Sequence, residues 1–235
     1  MDKLLIDGQQ PLSGVVKISG AKNSVLPMLC ASVMVSEGYV ELQNIPHLQD
    51  VTTTTRLLTQ MGVSVTMDEF MNISLNSKSI DNLYAPYDLV KTMRSSILVL
   101  GPLLSRFGEA KVSLPGGCAI GMRPVDMHIE ALEKMGVQIK VESGYISAKS
   151  KKLKGANIVF PKKSVTGTEN IIMAAVLAEG VTKIENAANE PEISDLCVFL
   201  NKMGAKIGGY GTDVISVEGV DFLKGTTHKP LPDRI

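Results

Sequence analysis

Leu58-Thr-Gln-Met-Gly62-Val63 decides the fold, because the chain carries the same pattern twice more. The second copy is Leu132-Glu-Lys-Met-Gly136-Val137, and the third is Leu200-Asn-Lys-Met-Gly204-Ala205. In each copy a helical pattern ends at the glycine, which is the favoured left-handed residue after a helix. Alternating residues typical of a strand then follow, so the sequence predicts three copies of one unit.

Each of these patterns is preceded by an earlier helix and a short strand. The earlier helices are predicted over about 22–35, 88–106 and 167–178, and each is followed by a glycine. Each unit therefore reads strand, helix, strand, helix, strand, strand, over about residues 14–80, 81–150 and 153–220. The first and third earlier helices are apolar nearly all round, which indicates that they lie inside the protein. We expect an α+β domain of pseudo-threefold symmetry, with helices inside and sheets around them.

The second copy differs from the other two in one loop. Gly38 and Gly62 are 24 residues apart, as are Gly180 and Gly204, whereas Gly108 and Gly136 are 28 residues apart. The four extra residues lie in the segment Leu114-Pro-Gly-Gly-Cys-Ala-Ile-Gly-Met-Arg-Pro-Val-Asp-Met-His128. Enlarged loops on a rigid scaffold often carry function, so this loop is the predicted active-site loop.

Cys118 is the residue of this loop on which we expect chemistry to depend. The Gly-Gly pair before it leaves amide N–H groups uncovered, and Arg123 supplies a positive charge nearby. A thiol in such surroundings tends to have a lowered pKa and raised reactivity. A lone cysteine is more often a small buried apolar residue, which is the interpretation for Cys30 and Cys197 in their apolar helical patterns. The glycines and proline around Cys118 would make a poor core segment, so a loop that handles an anionic substrate is favoured.

The composition excludes several classes of protein. The 235 residues carry 24 basic and 24 acidic side chains, which argues against a polybasic nucleic-acid binder. No run of apolar residues is long enough to span a membrane, and the N-terminus lacks the layout of a signal peptide. Three widely separated cysteines form neither a disulfide framework nor a zinc spacing. We expect a soluble cytoplasmic protein with reduced thiols, without nucleic-acid or membrane partners.

Basic residues lie at or near the starts of the three inner helix patterns. Lys22 opens the first, Arg94 lies within the second, and Lys162 precedes the third. Pseudo-threefold symmetry would bring these helix ends to one rim, which together with Arg123 would suit a phosphorylated ligand. Two alternatives remain open, a solvated lysine at the first helix and a salt-bridged end at the second. Neither a Walker A loop nor a Rossmann fingerprint is present.

The remaining polar motifs carry weaker predictions. His128, one turn into the helix after the loop, could face either ligand or solvent. His47 and His228 lie in loop-like surroundings and receive no role. The acidic run over residues 190–195 is interpreted as a helix start that complements the helix dipole.

Several long segments resemble the enolpyruvyl transferases. They are Ser19-Gly-Ala-Lys-Asn23, residues 85–94, residues 114–126, residues 185–192, and Leu231-Pro-Asp-Arg-Ile235. The resemblance implies that family's inside-out α/β barrel of three βαβαββ-type repeats, here a catalytic domain over residues 22–229. It also implies a second domain of the same fold, which this chain lacks. Residues 1–21 would normally pack on that domain, and residues 230–235 would begin the linker to it.

The resemblance also implies a reaction. The enolpyruvyl group of phosphoenolpyruvate would pass to the 3′-hydroxyl of UDP-N-acetylglucosamine, with release of phosphate, as the first committed step of peptidoglycan synthesis. The route would be addition followed by elimination, without a metal or other cofactor. Cys118 would be the proton donor to the enol carbon and the target of fosfomycin, and a thiol with an ordinary pKa of about 8.5 keeps its proton at neutral pH.

The resemblance assigns further residues to the two substrates. Lys22 and Arg123 would hold the phosphate and carboxylate of phosphoenolpyruvate, as catalytic residues beside Cys118. The residues implied to contact the nucleotide sugar are Asn23, Arg94, Arg123, Pro124, Val125, Asp126, Met127, Lys162, Lys163, Ser164 and Val165. One departure from the family pattern is the pair Thr166-Gly167 after the Ser-Val pair.

Three functions follow as alternatives. The first is one half of the transferase, inactive alone because the other wall of the cleft and its catalytic groups are missing. The second is a non-catalytic module that binds a UDP-sugar. The third, a purely structural domain, ranks last because the enlarged loop has no packing role in the repeat pattern.

Overall fold

The computed structural model describes residues 3, 5, 7–8, 11–91, 93–114 and 125–235. Three of the predicted site residues, Cys118, Arg123 and Pro124, lie outside these described residues. The backbone of Arg94 is described, whereas its side chain is not. No helix in the described part of the chain is both long and apolar enough to cross a membrane.

The helices and strands follow the predicted order, except that the first unit lacks the strand predicted before its first helix. The first unit contains α1 (Lys22–Ala31), a 3₁₀ turn (Ser32–Met34), β1 (Val40–Leu42), α2 (Gln49–Gln60), β2 (Ser64–Met67) and β3 (Ile73–Asn76). The second contains β4 (Tyr84–Ala85), α3 (Tyr87–Val90), a 3₁₀ helix (Arg94–Val99), α4 (Leu100–Phe107), β5 (Glu109–Ser113), α5 (Asp126–Lys134), β6 (Gln138–Glu142) and β7 (Tyr145–Lys149). The third contains β8 (Asn157–Val159), α6 (Val165–Ala175), β9 (Val181–Glu185), α7 (Pro191–Lys202), β10 (Lys206–Gly208) and β11 (Val214–Glu218), and β12 (Thr227–His228) follows.

The strands form three four-stranded sheets with one topology. Their orders are β12-β1-β3-β2, β4-β5-β7-β6 and β8-β9-β11-β10. In each sheet the first two strands are parallel, and the other pairs are antiparallel. The same arrangement made three times confirms the predicted threefold repeat and the α+β class.

The first sheet takes its outer strand from the far end of the chain. Glu41 and Leu42 of β1 pair with Thr227 and His228 of β12. We expected the first repeat to begin near residue 14, but residues 11–19 form no strand in the structure and are exposed. Periodicity along the sequence could not reveal this pairing, because the partners are separated by almost the whole chain.

The core consists of helices, and the sheets surround it. α6 packs against both α1 and α4, and Met28 and Leu29 of α1 and Ile172 of α6 are fully buried. The sheets bury one face only, as in β9, where Thr182 and Ile184 are buried between exposed neighbours. Replacing Leu29 by alanine would cost roughly 3 kcal/mol of stability, the usual effect of a cavity in a close-packed core.

The glycines of the three repeated patterns end their helices as predicted. Gly62, Gly136 and Gly204 have φ angles of 100°, 89° and 106°. At Gly62 an added Cβ would lie only 2.5 Å from the carbonyl oxygen of Ser79, so a larger residue is excluded there as well as strained. In each copy the N–H after the glycine bonds back to the leucine that starts the pattern, which is the Schellman arrangement.

The inner helix of the second repeat is not continuous as predicted. The backbone of Met93 is extended, with φ −137° and ψ 106°, and it separates α3 from the 3₁₀ helix that begins at Arg94. Asp88 does not cap α3, whose N-cap is Pro86. Asp88 instead lies in the first turn and accepts a hydrogen bond of 2.8 Å from Lys91, as in the salt-bridged alternative.

Candidate functional site

Lys22 lies in a cleft at the start of α1. The cleft has a volume of about 450 Å³ and is formed by the first residues of α1 and α2, by Glu192 of α7, and by Asp233 and Ile235 near the end of the chain. The Nζ atom of Lys22 donates a hydrogen bond of 3.0 Å to Oδ2 of Asp50 in α2. The cation is therefore held at the cleft and remains partly open to solvent.

The start of α1 suits an anion. Ala21 is its N-cap, and among the described residues no side chain caps this helix. Ala21, Lys22 and Asn23 line the cleft, so the positive end of the helix dipole lies beside it. Lys22 at the positive end of a helix opposes that dipole, a cost that Asp50 offsets here and that a bound anion would offset further.

An ion pair fixes the chain segment on the opposite side of the cleft. Arg234 donates from Nε to Oε1 of Glu192 at 2.8 Å and from a terminal guanidinium nitrogen to Oε2 at 3.1 Å. The carboxylate of Glu192 is buried in the first turn of α7, so its two oxygens need these donors. The pair was not predicted, although Arg234 belongs to one of the segments that carry the family resemblance.

The chain at the start of the 3₁₀ helix that begins at Arg94 packs against α2, whose first residues line the same cleft. Met93 precedes it and is buried, with its sulfur 3.2 Å from the hydroxyl of Thr54 on α2. Thr54 lies one turn after Asp50, and its hydroxyl donates back to the Asp50 carbonyl at 2.8 Å. α2 therefore links the Lys22 cleft to the backbone at Arg94.

A second group of predicted residues meets where α5 and α6 begin. Val125 is the N-cap of α5, and Asp126 is exposed in its first turn beside the half-buried Met127. His128 is buried, with Nε2 lying 3.5 Å from the hydroxyl of Thr166 on α6. The residues just before His128 and just before Thr166 thus lie near one another.

His128 faces the interior, which decides between the two orientations left open above. Its Nδ1 accepts a hydrogen bond of 2.9 Å from Nδ2 of Asn170, which also donates to the Ile97 carbonyl at 3.2 Å. The Asn170 side-chain oxygen accepts from the N–H of Gly101 at 2.7 Å. Burial lowers the pKa of His128 to about 4, so the ring is neutral at neutral pH. Asn170 therefore joins α5 and α6 to the helices that follow Arg94.

The segment before α6 is ordered by its own cap. Ser164 is the N-cap, and its hydroxyl accepts a hydrogen bond of 3.1 Å from the N–H of Gly167. Lys162 is exposed, and Lys163 forms an exposed ion pair with Asp213. A Cβ at Gly167 would lie 2.9 Å from the Ser164 hydroxyl. The glycine of the Thr166-Gly167 pair, which differs from the family pattern, therefore fits this tight cap.

The predicted site residues thus form two clusters, joined by the turn at Arg94. One cluster is the Lys22 cleft, and the other contains Val125 to Met127 and Ser164 to Val165. The sequence did not single out Asp50 or the partner of Arg234. The acidic run 190–195 was the available signal for the latter, but it was interpreted only as a complement to the helix dipole.

Two buried thiols and a buried carboxyl lie behind the site. Cys30 and Cys197 are buried, as expected, and burial raises both pKa values, that of Cys197 to about 12. Glu169 on α6 is fully buried, and its Oε1 has no hydrogen-bond partner among the described residues. Burial first, and then the nearby charges of Glu192 and Glu190, raise the pKa of Glu169 well above its ordinary value.

With this geometry established, the sequence can be compared with known families. The model of the family EPSP synthase (3-phosphoshikimate 1-carboxyvinyltransferase) matches residues 6–235. The chain belongs to the EPSP synthase family. The match covers all three repeats, and it confirms the family resemblance.

One relative is similar over the whole length of this chain. The UDP-N-acetylglucosamine 1-carboxyvinyltransferase of Hydrogenovibrio crunogenus is 60% identical over 235 residues, which are 100% of this chain and 56% of that protein. The chain therefore spans little more than half the length of this relative and corresponds to its N-terminal portion.

Solved structures confirm the fold of the EPSP synthase family. The enolpyruvyl transferase NikO from Streptomyces tendae superposes with a TM-score of 0.80 at 20% identity, covering 96% of this chain and 53% of that one. An EPSP synthase from Acinetobacter baumannii gives 0.74 at 21% identity, covering 94% and 50%. At these identities the likeness concerns the fold, and in both structures it covers about half of the longer chain.

Proposed function

We propose that this chain is the half of an enolpyruvyl transferase that holds the nucleotide sugar and the first anion-binding lysine. The complete protein would transfer the enolpyruvyl group of phosphoenolpyruvate to the 3′-hydroxyl of UDP-N-acetylglucosamine and release phosphate. The observation that carries this proposal is the 60% identity, over the whole chain, to a protein named for that activity. We place the reaction in the cytoplasm, as the first committed step of peptidoglycan synthesis.

Lys22 has the role of an anion-binding catalytic residue in this proposal. Its ammonium stands at the uncapped start of α1, where both the charge and the helix N–H groups would attract a phosphate or carboxylate. Asp50 holds the ammonium at the cleft until the anion arrives. Arg123, outside the described residues, would be the second cation. Two fixed cations stabilise the charge that gathers on the phosphate as it leaves.

Proton transfer is assigned to Cys118. The 3′-hydroxyl oxygen of the sugar bonds to C2 of phosphoenolpyruvate and its proton passes to a general base on the other side of the cleft, while the thiol gives its proton to C3, which becomes a methyl group. The tetrahedral adduct then loses phosphate from C2 and returns one methyl proton to the thiolate, which restores both the double bond and the thiol. Cys118 lies outside the described residues, so its assignment depends on the family resemblance. The enlarged loop in the second repeat supports it, because the repeat pattern gives that loop no structural purpose.

The second cluster is proposed to hold the nucleotide sugar. The residues assigned to the nucleotide sugar are those of this cluster, together with Asn23, Arg94, Lys162 and Lys163 and, outside the described residues, Arg123 and Pro124. The Asn170 network supports this assignment because it fixes the starts of α5 and α6 against the turn at Arg94. A site assembled from three elements needs such a fixed arrangement to bind a rigid base and sugar.

The missing wall of the cleft is assigned to a second domain that packs on residues 1–21 and 230–235. Leu12, Val15 and Val16 are 97%, 100% and 80% exposed, and Ile235 is 94% exposed. Such a run of exposed apolar side chains at one end of a domain is typical of a surface that another part of the protein covers. The 56% coverage of the relative leaves enough further chain for that domain.

The alternative is a non-catalytic module that binds a UDP-sugar. This alternative is supported by the same 56% coverage, because the chain contains the cluster proposed to hold the nucleotide sugar but corresponds to only part of the relative. Phosphate release from phosphoenolpyruvate and UDP-N-acetylglucosamine separates the two functions. We expect turnover from the complete protein and none from residues 1–235 alone. A complete protein that binds the sugar nucleotide without releasing phosphate would favour the alternative, and turnover by residues 1–235 alone would contradict the assignment of the second wall.

A further inference from the structure

Asp195 and His228 form a buried hydrogen-bonded pair that the proposed mechanism does not use. Their exposed fractions are 7% and 5%, and Oδ1 of Asp195 lies 2.8 Å from Nε2 of His228. On the other side of the ring, Nζ of Lys202 donates to Nδ1 at 3.1 Å. An ammonium group has donors only, so Nδ1 must be the acceptor and Nε2 must carry the proton. Lys202 therefore fixes the tautomer in which His228 donates to Asp195.

The second oxygen of Asp195 leads to the start of α1. Oδ2 accepts a hydrogen bond of 2.8 Å from the N–H of Leu231. The carbonyl of Leu231 in turn accepts one of 2.7 Å from the N–H of Ala21, which is the N-cap of α1 and directly precedes Lys22. A series of hydrogen bonds thus runs from His228 to Asp195 and then, through the backbone N–H and carbonyl of Leu231, to the residue before Lys22.

Backbone hydrogen bonds on both sides of this series also hold the segment around Leu231 and the start of α1. The N–H of Asp233 donates to the Ser19 carbonyl at 2.9 Å, and the N–H of Gly20 donates to the Asn44 carbonyl at 2.9 Å. Asp233 and Ile235 line the cleft that contains Lys22. The one side chain that anchors Leu231 in this series is Asp195, and its two oxygens are both occupied. Together with the Glu192–Arg234 ion pair, its position therefore determines where this segment lies against the start of α1.

We propose that Asp195 is a positioning residue for the Lys22 site. Its carboxylate holds the Leu231 peptide, and through it the Ala21–Lys22 backbone, in the place where the ammonium of Lys22 meets the anionic substrate. This inference rests on the proposed function. His228 and Lys202 serve it by holding the carboxylate in a single orientation. A displacement of about 1 Å at a reacting group can cost up to two orders of magnitude in rate, so such an anchor has a large effect.

Asparagine at position 195 tests this role because it has nearly the same shape but a single acceptor oxygen. Two donors, His228 Nε2–H and Leu231 N–H, converge on this side chain. The imidazole cannot change tautomer to accommodate an amide N–H, because Lys202 occupies Nδ1 as a donor. Asp195→Asn therefore leaves one of the two contacts broken while the volume of the side chain is kept.

Asn201 on the same helix provides a matched control. Its side chain also binds the backbone, with Oδ1 accepting from the N–H of Ile207 at 2.9 Å and Nδ2 donating to the Ile207 carbonyl at 3.0 Å. These bonds lead to β10 rather than to α1. Asn201→Ala thus removes comparable hydrogen bonds from α7 without touching the series that reaches Lys22.

The experiment measures steady-state kinetics of the complete protein with each substrate varied in turn. For Asp195→Asn we expect KM for phosphoenolpyruvate to rise about tenfold, while KM for UDP-N-acetylglucosamine changes less than about twofold. Asn201→Ala should leave both KM values unchanged, even where it lowers the thermal midpoint. If Asp195→Asn does not fold, His228→Gln decides the question, because it loosens the same carboxylate and should raise the same KM in the same direction.

The outcomes separate this inference from the function on which it rests. Absence of enolpyruvyl transfer by the unsubstituted complete protein would contradict the proposed function, and the role of Asp195 with it. An active protein whose Asp195→Asn and His228→Gln variants keep the original KM for phosphoenolpyruvate would overturn the positioning role alone. An equal rise in both KM values, or a lower kcat with unchanged KM values that Asn201→Ala reproduces, would also overturn it, because a general loss of native structure produces such results.

Discussion

Lys22 donates a hydrogen bond of 3.0 Å to Asp50 across the cleft between α1 and α2. The two side chains are 42% and 34% exposed, so solvent screens the pair and its contribution to stability is at most about 1 kcal/mol. The ammonium is nevertheless held at the start of α1, where the helix dipole adds to its attraction for an anion. A contact that contributes little to folding can thus be important for binding.

We expect Lys22→Met to separate these two effects. Binding of phosphoenolpyruvate to the complete protein should weaken at least about tenfold, because a charge-assisted contact is lost. The free energy of unfolding should change by less than about 1 kcal/mol, because the ion pair is exposed. Calorimetric titration and urea denaturation measure the two quantities.

Lys183→Met is the matched control for that substitution. Lys183 donates to Glu185 at 2.7 Å with side-chain exposures of 48% and 37%, close to those of the Lys22 pair, but it lies on β9. Loss of the Lys183 charge should change neither the binding free energy of phosphoenolpyruvate nor the free energy of unfolding by more than about 1 kcal/mol. Equal weakening of binding by both substitutions would show that net charge, rather than the Lys22 cleft, attracts the ligand.

The buried thiols predict a selective labelling result. Cys30 and Cys197 are enclosed in the core, and burial raises the pKa of each thiol, so both resist alkylation at neutral pH. Cys118 should therefore react first with fosfomycin or iodoacetamide, and peptide mass mapping should find at least a tenfold excess of label there, on the order of the reactivity differences between exposed and buried thiols. Equal labelling of all three cysteines in native protein would count against a reactive loop.

His128 should make the protein sensitive to acid. Its pKa is about 4 when folded, below the ordinary value of 6.5, so the unfolded state binds more protons between those two pH values. The stabilisation is complete above pH 6.5 and is lost as the pH falls toward 4, by up to roughly 3 kcal/mol. Between pH 7.5 and 4.5, the free energy of unfolding measured by denaturation should fall more steeply with decreasing pH for the original protein than for His128→Gln. The exposed His47 provides the control substitution, and parallel curves for all three proteins would refute this assignment.

Glu169 should have the opposite dependence on pH. Its raised pKa means that the folded state keeps a proton which the unfolded state releases above about 4.5, so stability falls as the pH rises. Glu169→Gln removes this proton uptake, and the variant should gain stability relative to the original protein between pH 5 and 8. Substitution of the exposed Glu179 by glutamine should give no such trend. A difference in unfolding free energy that is independent of pH would show that Glu169 is not protonated on folding.

The architecture could be predicted because its signals are local and repeated. A left-handed glycine after a helix is required by backbone sterics, so Gly62, Gly136 and Gly204 marked the three units directly. The apolar character of α1 and α6 all round the helix likewise indicated burial without reference to any partner. Repetition made each signal stronger, since the same pattern appeared at three places.

The contacts that the sequence missed all depend on partners far along the chain. His228 received no role because its neighbours look like a loop, yet it pairs with Asp195 of α7, 33 residues earlier. β12 pairs with β1 across almost the whole chain. Met93 breaks the second inner helix although nothing in its local pattern indicates an extended residue. Such features are decided by tertiary packing, which periodicity does not encode.

The pairing of β12 with β1 has a consequence for how this protein is made. During synthesis, the sheet that contains β1 must wait for β12, which follows the second and third sheets along the chain, before its outer edge is closed. The second and third sheets take all their strands from their own repeats and need no such delay. The first of the three sheets to be started is therefore the last of the three to be completed, and its open edge is the one that a chaperone would need to shield for longest.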